Sequence, residues 1–399
     1  MIDILEKYRC TGCSACYNSC PTDAIKMEAD RGEFLFPKID YEKCIKCNIC
    51  ENICPIIKKK DILEERYVKP IVKAAWSKDE DIRLSSTSGG LFSEIAKGFM
   101  KDEDSFIVGA IYNKDFLVEH YITNKVEDLA LLRQSKYIQS DKKQIFRRIK
   151  EKLDQDKKVL FVGAPCEVSG LYNFLRRPYK NLITVDFICL GTNAPKVYRK
   201  FLEMLKDKYN SKVKRVWFKN KTYGWNLFST KVEFKNGKIY LKDRLHDYFM
   251  RGYIGKKKFY IRECCTQCQY KGFPRVSDIS LGDFWGLGKK YPELDQDKGT
   301  SVVLINSRKG ELLYNHIYDK IYSYDKDLGD AINGNPALMI SPKLNDLSHF
   351  SYTLSFLIYF LSSSSFSSSF FSQEILITPL SHSILISSFL NPGISITTL

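Results

Sequence analysis

At 399 residues the chain is long enough for about two or three domains. Its formal charge of +15, from 62 Lys and Arg against 47 Asp and Glu, fits an acidic redox protein as partner or a phosphate-bearing ligand. Nucleic acid is not expected, because Lys58-Lys59-Lys60 and Lys256-Lys257-Lys258 are short runs of the kind that solvated faces carry.

The first elements in the chain are two cysteine runs. Cys10, Cys13, Cys16, Cys20 and Pro21 recur as Cys44, Cys47, Cys50, Cys54 and Pro55, an offset of 34 residues and the only internal repeat. This doubled spacing is that of two [4Fe–4S] clusters. Thiolates two residues apart wrap three corners of one cubane, and the fourth crosses over from the other run. Cys10, Cys13, Cys16 and Cys54 are therefore expected to hold one cluster, and Cys44, Cys47, Cys50 and Cys20 the other. Pro21 and Pro55 turn the chain away after each crossing ligand. Zinc would use pairs of cysteines rather than triplets plus one. Disulfides would need an oxidising compartment, and no secretory signal precedes Met1-Ile2-Asp3, so a cytoplasmic location is expected. Residues 1–60 read as an α+β, ferredoxin-like dicluster domain. The charged stretch from Lys58 to Lys69 opens a linker over 61–80.

From about Ile71 the pattern changes. Ser88-Gly89-Gly90 precedes a helical run from Leu91 to Met100. Strands are expected at Phe106–Tyr112, Val159–Val162 and Leu182–Cys189, and helices at Glu167–Arg177 and Pro195–Tyr209, where Pro195 suits a first turn. This alternation argues for a mixed α/β core with some parallel pairing. Lys231 to Tyr240 reads as a hairpin, with Asn236-Gly237 in a type I′ turn. The segment 346–399 differs from all of this. From Ser351 to Leu399, Glu374 is the one Asp, Glu, Lys or Arg, and Ser, Leu, Ile and Phe dominate. Serines interrupt every apolar run, so no membrane span is expected. The tail reads as out of frame or disordered, and resequencing through Asp346 tests the first reading.

Five cysteines lie outside the doubled run: Cys166, Cys189, Cys264, Cys265 and Cys268. Cys166 follows a strand and opens a helix, where the dipole is expected to lower a thiol pKa. Cys189 ends a strand, and ligands gather beyond the carboxyl ends of strands in open α/β sheets. Core packing, a zinc site, and Cys166 as a nucleophile remain alternatives. Asp283 and Trp285, in Gly282-Asp283-Phe284-Trp285-Gly286, look chemical; capping of backbone amides by Asp283 in a turn is expected, with a role beside a cofactor as the alternative.

Over about residues 1–345 the chain resembles the coenzyme F420 hydrogenase/dehydrogenase beta-subunit family, in the form with an N-terminal dicluster ferredoxin. The resemblance rests on Thr87-Ser88-Gly89-Gly90, Ser135-Lys136-Tyr137-Ile138-Gln139-Ser140, Gly163-Ala164-Pro165-Cys166, Cys189-Leu190-Gly191, Cys265 with Cys268, and Ser277 through Gly286. Leu190 stands where the family usually has His, and Cys264 where it usually has a small non-cysteine residue. The resemblance implies a mixed α/β flavin-binding domain, with its FAD-binding part at 81–180 and a cysteine-bearing part at 181–345. It implies a third [4Fe–4S] cluster on Cys166, Cys189, Cys265 and Cys268. It also implies FAD contacts at Thr87, Ser88, Gly89, Gly90, Ser135, Lys136, Tyr137 and Gln139. The implied function is an iron–sulfur flavoprotein oxidoreductase, relaying electrons between clusters and FAD, to or from a hydride-carrying small molecule such as the F420 deazaflavin, with a partner oxidoreductase subunit. The alternatives are a non-catalytic electron-transfer subunit, or a thiol-dependent enzyme of surface-polysaccharide metabolism. No catalytic residue is assigned.

Overall fold

A computed structural model of the chain describes residues 2–58, 66–101 and 104–345. The segment 59–65, inside the charged stretch, and the tail 346–399 lie outside the described residues.

Between the cysteine runs, β1 (Ile25–Ala29) and β2 (Leu35–Ile39) pair antiparallel. Each run carries a short helix, Ala15–Ser19 and Ile49–Asn52. The rest of the chain supplies β3 (Ile71–Ser77), β4 (Ser105–Tyr112), β5 (Val118–Thr123), β6 (Ser140–Asp141), β7 (Lys158–Gly163) and β8 (Leu182–Phe187). There follow β9 (Val213–Asn220), β10 (Ser229–Phe234), β11 (Ile239–Asp243), β12 (Lys257–Lys258), β13 (Ile279–Asp283), β14 (Ser301–Ile305), β15 (Ile321–Asp325) and β16 (Lys343–Leu344).

A nine-stranded sheet runs in the order β15-β3-β14-β13-β8-β7-β4-β5-β6. Its centre, β13-β8-β7-β4, is parallel. Such strands are covered on both faces and read as continuous apolar runs; Val159, Leu160 and Phe161 are fully buried. Ile71–Ser77, in the stretch read as linker, is a strand of this sheet, antiparallel to both β14 and β15. The boundary read at 180/181 falls between the paired strands β7 and β8, so the two parts share one sheet. The three-stranded meander β11-β10-β9 forms a separate, smaller sheet.

The expected strands and helices form with ends shifted by a residue or two, and the helix Pro195–Tyr209 has the expected bounds. It buries Val197, Tyr198, Phe201, Leu202 and Leu205 along one stripe. The 231–240 hairpin turns differently from expectation. Gly237 donates to Phe234 O and is left-handed at φ +82°, while Asn236 keeps negative φ. The connection is a tight turn closed by a left-handed glycine, which needs one positive φ rather than the two of a type I′ turn.

The amino-terminal module is seated by charged hydrogen bonds to backbone carbonyls. Arg147 donates to Asn18 O at 2.7 Å, to Cys20 O at 2.8 Å and to Asp23 Oδ1 at 2.7 Å. Arg262, fully buried, donates to Cys10 O at 2.8 Å and Leu35 O at 3.1 Å, and lies 3.9 Å from the Phe36 ring centroid. Bonds of this kind contribute about 1.5–3 kcal/mol each. Loss of the Arg262 bonds would also strand a buried cation.

Candidate iron–sulfur centres and the Ser88 junction

The two cysteine runs share a backbone path. Gly12 and Ser14 take φ of +69° and +64°, and their counterparts Lys46 and Asn48 take +53° and +56°. Left-handed residues beside right-handed ones turn successive amides toward one concavity, which suits anionic sulfur. In the first loop Cys10, Cys13, Cys16 and the crossing Cys54 line one cavity of about 20 Å³, walled by Ile2, Leu5, Met27 and Ile56. Burial, with help from Cys54, pushes the Cys13 thiol up to about 12, and burial likewise raises Cys16 and Cys54. Such thiols give up their protons to a metal rather than to water.

The other four ligand candidates sit farther out. Cys47 is exposed, and Cys20, Cys44 and Cys50 are half-buried. No cysteine among the described residues forms a disulfide. Among the described residues no three His, Cys, Asp or Glu side chains close to the spacing of one metal ion's ligands; a cubane is larger than one ion and keeps its thiolates at separate corners.

The remaining cysteines meet in a second cavity. Cys166 stands at the second position of the helix Pro165–Leu175, and Cys189 lies two residues beyond β8. Cys265 is on the 3₁₀ turn Glu263–Gln267 and Cys268 caps it. With Cys264 they line a space of about 90 Å³ that also touches Tyr8, Arg9, Lys271 and Arg275. Gly191, at φ +110°, allows the close approach: a Cβ there would lie 3.6 Å from Cys265 Sγ. Its amide donates to Cys189 Sγ at 3.3 Å. Four soft sulfur donors with cations at the rim fit a cluster of net negative charge. The expectation for the Cys166 thiol is reversed. Burial pushes it well above the ordinary value, and the Glu167 carboxylate adds to the rise. Cys189 is raised to about 12, first by burial and then by Cys265.

Thr11 and Ile56 line both cavities. The third site therefore adjoins the inner site of the amino-terminal module. The helix that carries Cys166 packs directly on the inner loop, since a Cβ on Gly170 would come within 2.9 Å of Cys13 Sγ.

The residues expected at FAD are partly brought together. Thr87 Oγ1 accepts from the Ser135 amide at 2.9 Å. Ser88 Oγ donates to Thr300 O at 3.0 Å, and the Gly89 amide donates to Ser301 Oγ at 3.0 Å. Gly90, at φ +90°, starts the helix Leu91–Phe99. Lys136 Nζ donates to the carbonyls of Leu132, Arg133 and Gln134 at 3.0–3.2 Å, and burial lowers it to about 7. The Tyr137 ring lies 5.5 Å from Phe218 and 5.2 Å from Tyr253. Gln139 stands apart from this junction: its oxygen accepts from Leu35 N at 2.8 Å and from Arg262 at 3.3 Å, at the seam of the two modules.

Sequence reading missed the cations around this junction. Lys221 Nζ donates to Arg83 O, Ser88 O and Lys298 O at 2.6–2.7 Å, and burial lowers it to about 7. Arg83 is fully buried, with one guanidinium nitrogen unpartnered. Asp283 does not cap a turn. It pairs with buried Lys219 and accepts from Trp225 Nε1 at 3.4 Å. Trp225 stacks on Trp285 at 4.3 Å. Nothing local in the sequence marks these residues, because their partners are distant in the chain.

Residues 156–329 match the family described as the carboxy-terminal part of the coenzyme F420 hydrogenase/dehydrogenase beta subunit. Residues 9–56 match the "4Fe-4S dicluster domain". No curated relative matches the chain. Among solved structures, a chain of the F420-reducing [NiFe] hydrogenase complex from Methanosarcina barkeri is similar, at 18% identity and a TM-score of 0.46, over 70% of this chain and 93% of that one. No helix among the described residues is long and apolar enough to cross a membrane. The chain thus joins a 4Fe–4S dicluster domain, at residues 9–56, to a region of the coenzyme F420 hydrogenase/dehydrogenase beta-subunit type, at residues 156–329.

Proposed function

We propose that the chain is a cytoplasmic iron–sulfur flavoprotein oxidoreductase. It relays electrons between three [4Fe–4S] clusters and FAD, to or from a hydride-carrying small molecule such as a deazaflavin, beside a partner oxidoreductase subunit or an acidic redox protein. The observation that carries this reading is the wall of Thr11 and Ile56 shared by the two cysteine cavities. It supports a third site in series with the inner cluster of the amino-terminal module.

Cys166, Cys189, Cys265 and Cys268 would hold the third cluster, with Lys271 and Arg275 offsetting its charge. Bound flavin would supply the exchange between single electrons and a hydride, which clusters cannot perform. Thr87 to Gly90, Ser135, Lys136 and Tyr137 would hold it, and Arg83, with one guanidinium nitrogen unpartnered, would add positive charge near its phosphates. A second reading, a cluster relay without flavin, is favoured by Lys136 and Ser88, whose donors already meet protein carbonyls. The thiol-enzyme reading has least support, because burial holds the Cys166 proton on.

Anaerobic purification with iron, sulfide and released-flavin counts decides among these readings. The proposal expects about twelve iron atoms and one flavin per chain. Twelve iron atoms without flavin would favour the relay, and about eight would remove the third cluster.

A further inference from the structure

The chain's charge is unevenly shared. Residues 195–258 hold 19 Lys and Arg against 5 Asp and Glu, a net +14 of the chain's +15. Residues 1–58 hold 8 against 9, a net −1 before bound clusters add negative charge of their own. The basic stretch is the helix Pro195–Tyr209, the meander β9–β11 and the helix Tyr248–Ile254. The helices cover one face of the meander: Phe201 meets Tyr240 at 5.9 Å, and Phe249 meets Phe218 at 5.3 Å. Alternation along the strands sends the intervening residues to the other face. There Trp217, Lys231 and Leu241 form one row, and Arg215, Glu233 and Ile239 the next. Ile239 is 48% exposed, Trp217 and Leu241 are half-buried, and none of the three joins a buried apolar cluster of the described residues. The carboxylates of these strands are already held, Glu233 by Lys231 at 2.9 Å and Asp243 by His246 at 2.7 Å. Lys214 and Arg215 are exposed, and the Arg215 guanidinium lies 4.8 Å from the Trp217 ring centroid.

We infer that this uncovered meander face is the docking surface for an acidic electron-carrier protein. This rests on the electron-relay part of the proposed function and names the place where the carrier binds. An apolar centre inside a charged rim is the make-up of a protein interface. The charge contrast sets the occupant: an acidic protein is drawn to the meander and turned away from the dicluster module. A nucleic acid strand would need an open aromatic face to stack on, and Arg215 covers the one aromatic ring in these two rows. The face also leads inward. Two residues beyond Trp217, β9 carries buried Lys219, which pairs with Asp283. Just past the strand, Lys221 donates to Ser88 O at 2.6 Å. β9 therefore links the docking face to the Ser88 junction.

The test uses the full chain, purified anaerobically, with a strongly acidic bacterial 2[4Fe–4S] ferredoxin as probe. Reduced ferredoxin is mixed with oxidised protein, and electron transfer is followed by stopped flow. The rate should fall about tenfold or more as salt rises from about 0.01 M to about 1 M, where the screening length drops from about 30 Å to about 3 Å. Lys214→Glu combined with Arg215→Glu should slow transfer about tenfold at low salt and flatten the salt dependence, with iron content and reduction by dithionite unchanged. Lys26→Glu combined with Lys46→Glu makes the same charge change at exposed sites of the dicluster module, and should not slow transfer. Ile239→Ser leaves the charges in place and should weaken ferredoxin binding at every salt concentration. Equal slowing by the two paired reversals, no slowing by the meander pair, or unchanged affinity in Ile239→Ser would overturn the inference. Tighter binding of a thymidine oligonucleotide than of ferredoxin would assign the face to nucleic acid and overturn it too. Protein that dithionite cannot reduce would instead overturn the electron-relay reading itself, a result distinct from the others.

Discussion

Gly12 and Lys46 occupy equivalent positions in the two cysteine loops, with the same left-handed backbone, in different surroundings. A Cβ on Gly12 would lie 2.3 Å from the Gln139 side chain, 3.0 Å from Arg262 and 3.1 Å from Leu35 O. Lys46 is exposed, beside exposed Cys47 and Ile45. The inner loop is wedged between β2 and the Arg262 turn, and its cavity shares a wall with the third cysteine site. The outer loop faces solvent, where a second protein can reach it. In the proposed relay one spacing would serve two ends of a path, and the residues between the cysteines would set which end is which.

Substitutions at these positions break the comparison in a graded way. The largest effect is expected from Gly12→Val, which meets both a disfavoured φ and a steric clash. It should abolish the inner cluster and loosen the module, seen as lost iron and faster limited proteolysis. Lys46→Val at the matching site should keep full iron. Next come the ligands. Cys166→Ser should remove only the third cluster, and Cys47→Ser only the outer one, as read by iron content and the paramagnetic spectrum.

Smaller effects concern the seat between the sites. His120 is buried 3.8 Å from Glu167, and Lys142 pairs with the same carboxylate. Burial, followed by Lys142, lowers His120 from 6.5 to about 4, against the pull of Glu167. The folded protein therefore resists protonation that the unfolded chain accepts. Its contribution is intact above pH 6.5 and is lost as pH falls toward 4, by up to about 3 kcal/mol. Chemical denaturation should show wild type losing ground against His120→Phe across that window. Gly170→Ala should cost about 1–3 kcal/mol of stability by overpacking against Cys13, measured by the same method, with no change at the outer cluster.

These contrasts also separate what is legible in the sequence from what is not. The dicluster domain is legible because its motif is local: a cubane fixes the spacing, and the spacing is in the chain. Pro195–Tyr209 is legible because its apolar stripe and proline start are local too. β3 hides in an apparent linker, since its partners β14 and β15 lie more than two hundred residues downstream. Asp283 looks like a cap because its partner, Lys219, sits on another sheet. Gln139 lies in a stretch that carries the resemblance, yet its contacts hold the module seam. A short motif records that a residue matters and leaves its partner unstated.

The central claim is that the inner amino-terminal cluster and the third cysteine site lie next to each other. Paramagnetic resonance of the dithionite-reduced Cys47→Ser protein tests it most directly, because the outer cluster is then absent. Adjacent sites predict a broadened, spin-coupled spectrum from two neighbouring reduced clusters, collapsing to a simple signal when Cys166→Ser is added. Two independent, uncoupled signals, or one signal unchanged by Cys166→Ser, would contradict it.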